Sequence, residues 1–385
     1  MKVFLVDGKR TAFGKFGGSY KSVTPVDLAV DCAQSLLDSL KISAKDMDHF
    51  ILGNVLPSMT DTFYGARHLG LKLGGLEETP GYLVNRLCGS GIQAIGDAVS
   101  MIKNGEAQAV LSAGVENMSL APHLVYGGRF GTKYGALKSA DMLLDSLTDQ
   151  YAGCPMAITA ENLAAEYGIT REECDQFALE SHQKAAKAYE QGLLQGEIGT
   201  AKLKLALDEH LRTDAKLAEM SALKPSFKAD GVVTAANASG IVDGAASVVV
   251  ASEAFVLKHK LSPIAEIIDM SVVGVPPRIM GIGPVNAIKN LLAKHKLDLT
   301  QIDIIEINEA FAAQTIACQK ALQLPMEKIN RWGGAIALGH PLAASGVRIS
   351  LTAARQMQHY KAKTAIASAC IGGGQGIALL MRACN

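Results

Sequence analysis

The sequence predicts an α/β chain made of two similar halves with an excursion between them, and three observations carry that reading. Short apolar runs at residues 3–6, 50–52, 109–111, 248–251, 304–307 and 364–369 alternate with longer stretches of helical period, the pattern of buried strands layered with helices. An internal echo pairs MDHFILGN from Met47 with IDIIEINE from Ile302, and NRLCGSG from Asn85 with NRWGGAI from Asn330, at lags of 255 and 245 residues. Duplication accounts for both lags; chance pairing of short strings is the alternative. Between the echoes, from about Met118 to Gly240, the chain changes character to helix signals and loops, so this stretch reads as an insertion.

The elements follow in order. The N-terminus MKVFLVDGKRTAFG has four consecutive apolar residues before Asp7, too few for a signal-peptide core, and reads as a first strand. After Cys88, the residues Ile92, Ile95, Val99 and Ile102 recur at helical spacing and Asn104-Gly105 is a fitting stop, so Cys88 falls at a strand-to-helix turn. In the excursion, Thr170 and Glu173 stand in capping-box spacing ahead of a helix that ends by Gly192, with Cys174, Phe177, Ala178, Ser181, Ala185 and Ala188 on one face.

Composition narrows the partners. The 385 residues are 49% hydrophobic and 19% charged, with 37 cationic and 37 anionic side chains, so no net field recommends a nucleic acid or an acidic membrane, and a small molecule is the default. No apolar run approaches a membrane span. Seven widely spaced cysteines without a C-x-x-C pair argue for reduced thiols in a cytosol-like compartment, and nine histidines without H-E-x-x-H spacing give no reason to expect a metal. The excursion carries Lys202, Lys204, Arg212, Lys216, Lys224 and Lys228 among acidic residues; a solvated face is the plain reading, a polyphosphate site the other.

Four stretches carry chemistry-bearing residues. Cys88 in NRLCGSG, at a helix N-terminus, meets unpaired N–H groups and the helix dipole, which favour a thiolate; an inert buried cysteine is the alternative. His340 in GGAIALGHPLAASG sits among small residues that let a ligand approach the backbone, where an imidazole serves as base or oxyanion donor or is merely structural. Cys370 in SACIGGGQG lies where an apolar strand runs into a glycine turn. Asn308 and Glu309 in NEAFA follow the run 304–307, at the carboxyl end of a strand where ligand crevices form.

Together, and in this order, NRLCGSG, NEAF, GGAIALGHP and CIGGGQG resemble the thiolase family, and the likeness covers essentially the whole chain. It implies a thiolase fold of class α/β: two halves, each a mixed five-stranded sheet between helices, with an inserted loop domain. Residues 1–117 with 241–262 would form the first half, 118–240 the loop domain that binds coenzyme A, and 263–385 the second half. The resemblance makes Cys88 the acyl-accepting nucleophile and His340 its base, with His340 and a water on Asn308 forming one oxyanion site. Cys370 would be the acid and base, and the N–H groups of Cys88 and Gly372 the second oxyanion hole. Arg212 would lie near the CoA adenine and phosphates, Phe227 and Ser239 along the pantetheine arm, and Met156, Met280 and Phe311 around the acyl group.

By this resemblance the activity is that of an acetyl-CoA C-acyltransferase, reversible, with acyl-CoA and CoA as substrates, no prosthetic group and no metal. Pro155 stands where acetoacetyl-CoA thiolases tend to place histidine, which favours 3-ketoacyl-CoA thiolase, with acetoacetyl-CoA thiolase as runner-up. A decarboxylating ketosynthase would replace Cys370 by histidine, and a non-catalytic CoA- or lipid-binding relative would have lost one of the three reacting groups. Trp332, Ala343 and Ala236 depart from the residues usual in the family. A homodimer or homotetramer is expected, in the cytoplasm or, as the alternative, the mitochondrial matrix.

Overall fold

The structure, a computed structural model, describes residues 1–384. Nine strands form one continuous path: β1 (Val3–Arg10), β2 (His49–Gly53), β3 (Gly81–Val84), β4 (Ala109–Glu116), β5 (Val242–Ser252), β6 (Ala265–Gly274), β7 (Ile304–Ile307), β8 (Thr364–Ile371) and β9 (Gln375–Arg382), in the spatial order β7-β8-β9-β6-β1-β5-β4-β2-β3. All six apolar runs of the sequence lie within these strands. In the first half, β3 and β4 are parallel to β2, while β5 runs antiparallel to β4 and to β1. The second half repeats the pattern, with β7 parallel to β8 and β9 antiparallel to β8 and β6. The counterpart of β3 shrinks to one parallel bridge, Ile305 to Ile329, so the second sheet has four strands rather than five. At the corresponding place the residues Met326–Lys328 wind into a 3-10 turn instead of extending.

The halves meet where β1 pairs antiparallel with β6 over only Phe4–Glu266 and Leu5–Ala265. That ladder is short, and the larger join is a shared core. Helix α3 (Ser90–Lys103), carrying the predicted stripe Ile92, Ile95, Val99 and Ile102, packs with helix α8 (Leu342–Tyr360) between strands of both halves. Fifteen of the 19 residues of α8 are buried, as expected of a helix with no solvent face. Outer cores cover the other faces: α1 (Pro25–Leu40) and α2 (Gly65–Lys72) on the first half, α6 (Gly283–His295) and α7 (Ala312–Leu322) on the second.

Residues 118–240 depart from the main sheet. Their helices α4 (Met156–Tyr167) and α5 (Arg171–Glu190) share the outer core of the second half. Helix α5 opens with the expected capping box of Thr170 and Glu173, and its expected apolar face is buried. A buried ion cluster ties this segment back to β1. Arg10 reaches Glu197 at 3.2 Å and Asp208 at 2.7 Å, and the Tyr189 hydroxyl donates to Asp208 at 2.6 Å.

The crossing of α3 and α8 is a backbone contact. A Cβ on Gly91 would stand 2.5 Å from Val347 N and 2.6 Å from Ala343 O, and one on Gly346 would stand 2.6 Å from Ile92 N. Replacing Gly346 by Ala therefore forces the helices apart, and an overpacking cost of about 1–3 kcal/mol is expected in denaturant unfolding; an unchanged midpoint would show that the crossing relaxes freely.

Candidate active site

Cys88 occupies a tight elbow between β3 and α3. Asn85 Oδ1 accepts from Leu87 N–H at 3.0 Å, and the Ser90 hydroxyl donates to Leu87 O at 2.7 Å while its oxygen accepts from Arg86 N–H at 2.8 Å. These bonds hold Leu87 at φ 47°, a left-handed conformation that a non-glycine residue adopts only when its surroundings impose it. The elbow delivers the half-buried Cys88 to the start of α3, as the sequence predicts.

His340 sits in the corresponding place ahead of α8, buried, with its backbone N–H donating to Gly240 O at 2.9 Å. Its Nδ1 lies 2.5 Å from Ser345 Oγ, and that hydroxyl donates to Pro341 O at 3.3 Å. With the serine proton so committed, Nδ1–H is the donor and Nε2 keeps its lone pair. Asn308, one residue past β7 and fully buried, places Nδ2 3.3 Å from that Nε2. Burial, with the Arg348 cation adding to it, pushes the imidazole down to about 3, so at neutral pH it is an uncharged base.

Cys370 lies one residue from the end of β8, fully buried against Met280 and Ala310, with Met156 and Phe311 packed on the same cluster. Its thiol is pushed up first by burial and second by the neighbouring Cys88. The backbone amides of Gly372, two residues on, and of Cys88 itself act to lower the Cys88 pKa. These donors do not produce the lowered thiol pKa expected from the helix end. Burial outweighs them and pushes Cys88 up to about 11, because desolvation penalises the charged thiolate. At rest the cavity is lined by a neutral thiol and a neutral imidazole.

One cavity of about 550 Å³ collects most of the remaining candidates: Arg212, Phe227, Ser239, Met156, Met280 and Phe311 line it together with Cys88, His340 and Gly372. Cys370 and Asn308 stand behind its wall, reached through Met280 and His340. Of the six excursion cations only Arg212 lines the cavity; Lys216 and Lys228 pair with Glu219 and Asp230 at the surface, the solvated reading. Lys15, Phe16, Ser226 and His210 also line it and were not singled out by sequence. His210 had a signal, in the string DEHLRTD with Arg212, and so did Ser226, in KPSFKADG with Phe227. Among the described residues no cluster of three or more metal-ligating side chains is found, and no helix is long and apolar enough to cross a membrane.

The raised Cys88 pKa has a direct readout. Alkylation of Cys88 by iodoacetamide in the free protein is expected to keep accelerating above pH 8, because the thiolate fraction is still growing there; a rate already level by pH 7 would contradict it.

The comparisons agree along the whole chain. The family description "Thiolase, N-terminal domain" matches residues 3–254 and "Thiolase, C-terminal domain" residues 261–383. The chain is 47% identical to the human "3-ketoacyl-CoA thiolase, mitochondrial", over 99% of this chain and 98% of that one. It is 43% identical to a "Probable acetyl-CoA acyltransferase" of Staphylococcus aureus (strain COL), with the same coverage of both. Among solved structures, human mitochondrial 3-ketoacyl-CoA thiolase in complex with CoA superposes with a TM-score of 0.97 at 47% identity, covering 100% of this chain and 98% of that one. The Bacillus anthracis acetyl-CoA acetyltransferase superposes with a TM-score of 0.95 at 39% identity, covering 100% and 99%. With both halves matched and the site built at their junction, this chain belongs to the thiolase family.

Proposed function

We propose that this protein is a 3-ketoacyl-CoA thiolase, an acetyl-CoA C-acyltransferase that cleaves 3-ketoacyl-CoA with free CoA to acetyl-CoA and a shortened acyl-CoA. The observation that carries the reading is that one cavity brings Cys88 and Gly372 together with His340, with Cys370 directly behind its wall. In this reading, arrival of substrate lets His340 Nε2 take the Cys88 proton, and the thiolate attacks the keto carbon. The N–H groups of Cys88 and Gly372 and the His340–Asn308 pair are suited to hold negative charge as it develops on a thioester or keto oxygen. The bond between carbons 2 and 3 breaks, and Cys370 gives its proton to the departing acetyl-CoA enolate. The Cys370 thiolate then takes the proton of the incoming CoA thiol, the CoA sulfur collects the acyl group, and the released Cys88 thiolate regains its proton from His340. Every step is reversible and none needs a metal.

Arg212 is assigned to the adenine and phosphate end of CoA, Phe227 and Ser239 to the pantetheine arm, and Met156, Met280 and Phe311 to the acyl group. The exposure of Arg212 at the mouth and the burial of Met280 at the base support that order. The likeness to the B. anthracis acetyl-CoA acetyltransferase keeps acetoacetyl-CoA cleavage as the second reading. Free thiols suit a reducing compartment: the cytoplasm or the mitochondrial matrix, the second in keeping with the word "mitochondrial" in the names of the mammalian relatives. A homodimer or homotetramer is proposed as the working assembly, with a role in β-oxidation of fatty acids.

Thiolysis assayed over a ladder of 3-ketoacyl-CoA chain lengths is expected to show turnover beyond the four-carbon substrate, and a cutoff there would establish the second reading. Cys370→Ala is expected to lower kcat by about 10²- to 10⁴-fold, the usual worth of acid–base help; a variant with near-normal kcat would remove Cys370 from the mechanism.

A further inference from the structure

Glu116 ends β4 with its side chain fully buried and, among the described residues, without a cationic partner. All of its polar contacts are donors. Oε1 accepts from Leu56 N–H at 2.8 Å and Asn54 Nδ2 at 3.0 Å, Val55 N–H is shared between the oxygens at 3.2–3.3 Å, and Oε2 accepts from Ala343 N–H at 3.2 Å. Burial pushes this carboxyl up to about 8, yet only the carboxylate, which is all acceptor, matches four donors at once.

The donors come from two bodies of the site. The loop 54–56 belongs to the first half: Asn54 N–H donates to Val84 O, Val55 O lies 3.4 Å from Asn85 Nδ2, and Val55 and Leu56 pack in one cluster with Leu87 and Cys88. Ala343 belongs to the second half, in the first turn of α8, whose N-cap Pro341 supplies no side-chain cap. Glu116 therefore caps, from the other half, the helix that follows His340 and contains Ser345, the partner of His340 Nδ1.

We propose that Glu116 is a positioning residue of the active site: its two oxygens grip the loop beside Cys88 and the helix start beside His340, and so set the approach of imidazole to thiol across the junction of the halves. This rests on the functional reading above, in which His340 takes the Cys88 proton. A carboxamide at this position turns one acceptor into a donor that faces donors, and an aspartate is one methylene too short to hold both sides. Either change lets the two bodies drift by a fraction of an ångström or more, a scale on which catalysis is lost steeply, to about 10²-fold per ångström.

The test measures kcat and KM for CoA in thiolysis by the full-length wild type, Glu116→Gln and Glu116→Asp, with far-UV circular dichroism and melting temperature on each. Both variants are expected to fold, with kcat lowered at least about tenfold and KM for CoA unchanged, because the CoA-lining residues do not touch Glu116. Aspartate keeps the charge and one arm of the grip, so it is expected to lie between wild type and glutamine. A lowered melting temperature with wild-type kcat would make Glu116 a structural residue only and overturn the proposal, as would equal changes in kcat and KM. Should the glutamine variant fail to fold, the aspartate variant decides by the same criteria. Absence of thiolysis in the wild type would instead sink the functional reading, so the two failures are told apart.

Discussion

The site exists because two helices touch backbone to backbone. Gly91 near the start of α3 and Gly346 near the start of α8 carry no Cβ at their crossing, and each faces backbone atoms of the other helix. Gly114 in β4 makes the same allowance for Ala343. Each helix is entered through a candidate reactive side chain, Cys88 for α3 and His340 for α8, so bringing the N-terminal ends together brings both into one cavity. The short β1–β6 ladder could not fix that placement alone; the buried length of α8 between both sheets does.

Burial sets the electrostatics of the same place. It is the largest influence on three groups there, raising the thiols of Cys88 and Cys370 and lowering His340, so none of the three is charged in the free enzyme. The N–H groups of Cys88 and Gly372 do not hold a permanent thiolate but suit charge that appears only during reaction. A low-dielectric site makes such fixed donors worth more to a transient oxyanion, about 3–4 kcal/mol for one donor, than they would be in water.

Much of this was legible in the residues. Strand positions followed from apolar runs, the α3 and α5 faces from helical spacing, and the repeat of β2 and β7 from the echo of MDHFILGN and IDIIEINE. The glycine-rich settings of Cys88, His340 and Cys370 marked the residues that the fold gathers at one cavity. Other features left no local mark. Glu116 looks like any acid after a strand until the fold wraps four donors around it. The fifth strand of the second half is reduced to one bridge where Met326–Lys328 wind into a 3-10 turn. The direction of the Cys88 shift was misjudged because a helix end is visible in sequence whereas desolvation depends on what the other half lays over it.

The central claim is that chemistry begins at the Cys88 sulfur and passes through a thioester there. The direct measurement mixes the protein with a 3-ketoacyl-CoA in the absence of free CoA, quenches with acid and maps the modified peptides by mass spectrometry. An acyl group two carbons shorter than the substrate, carried on Cys88 alone, is the expected result. The same group on Cys370 or another thiol, or turnover with no acylated cysteine at all, would contradict the account.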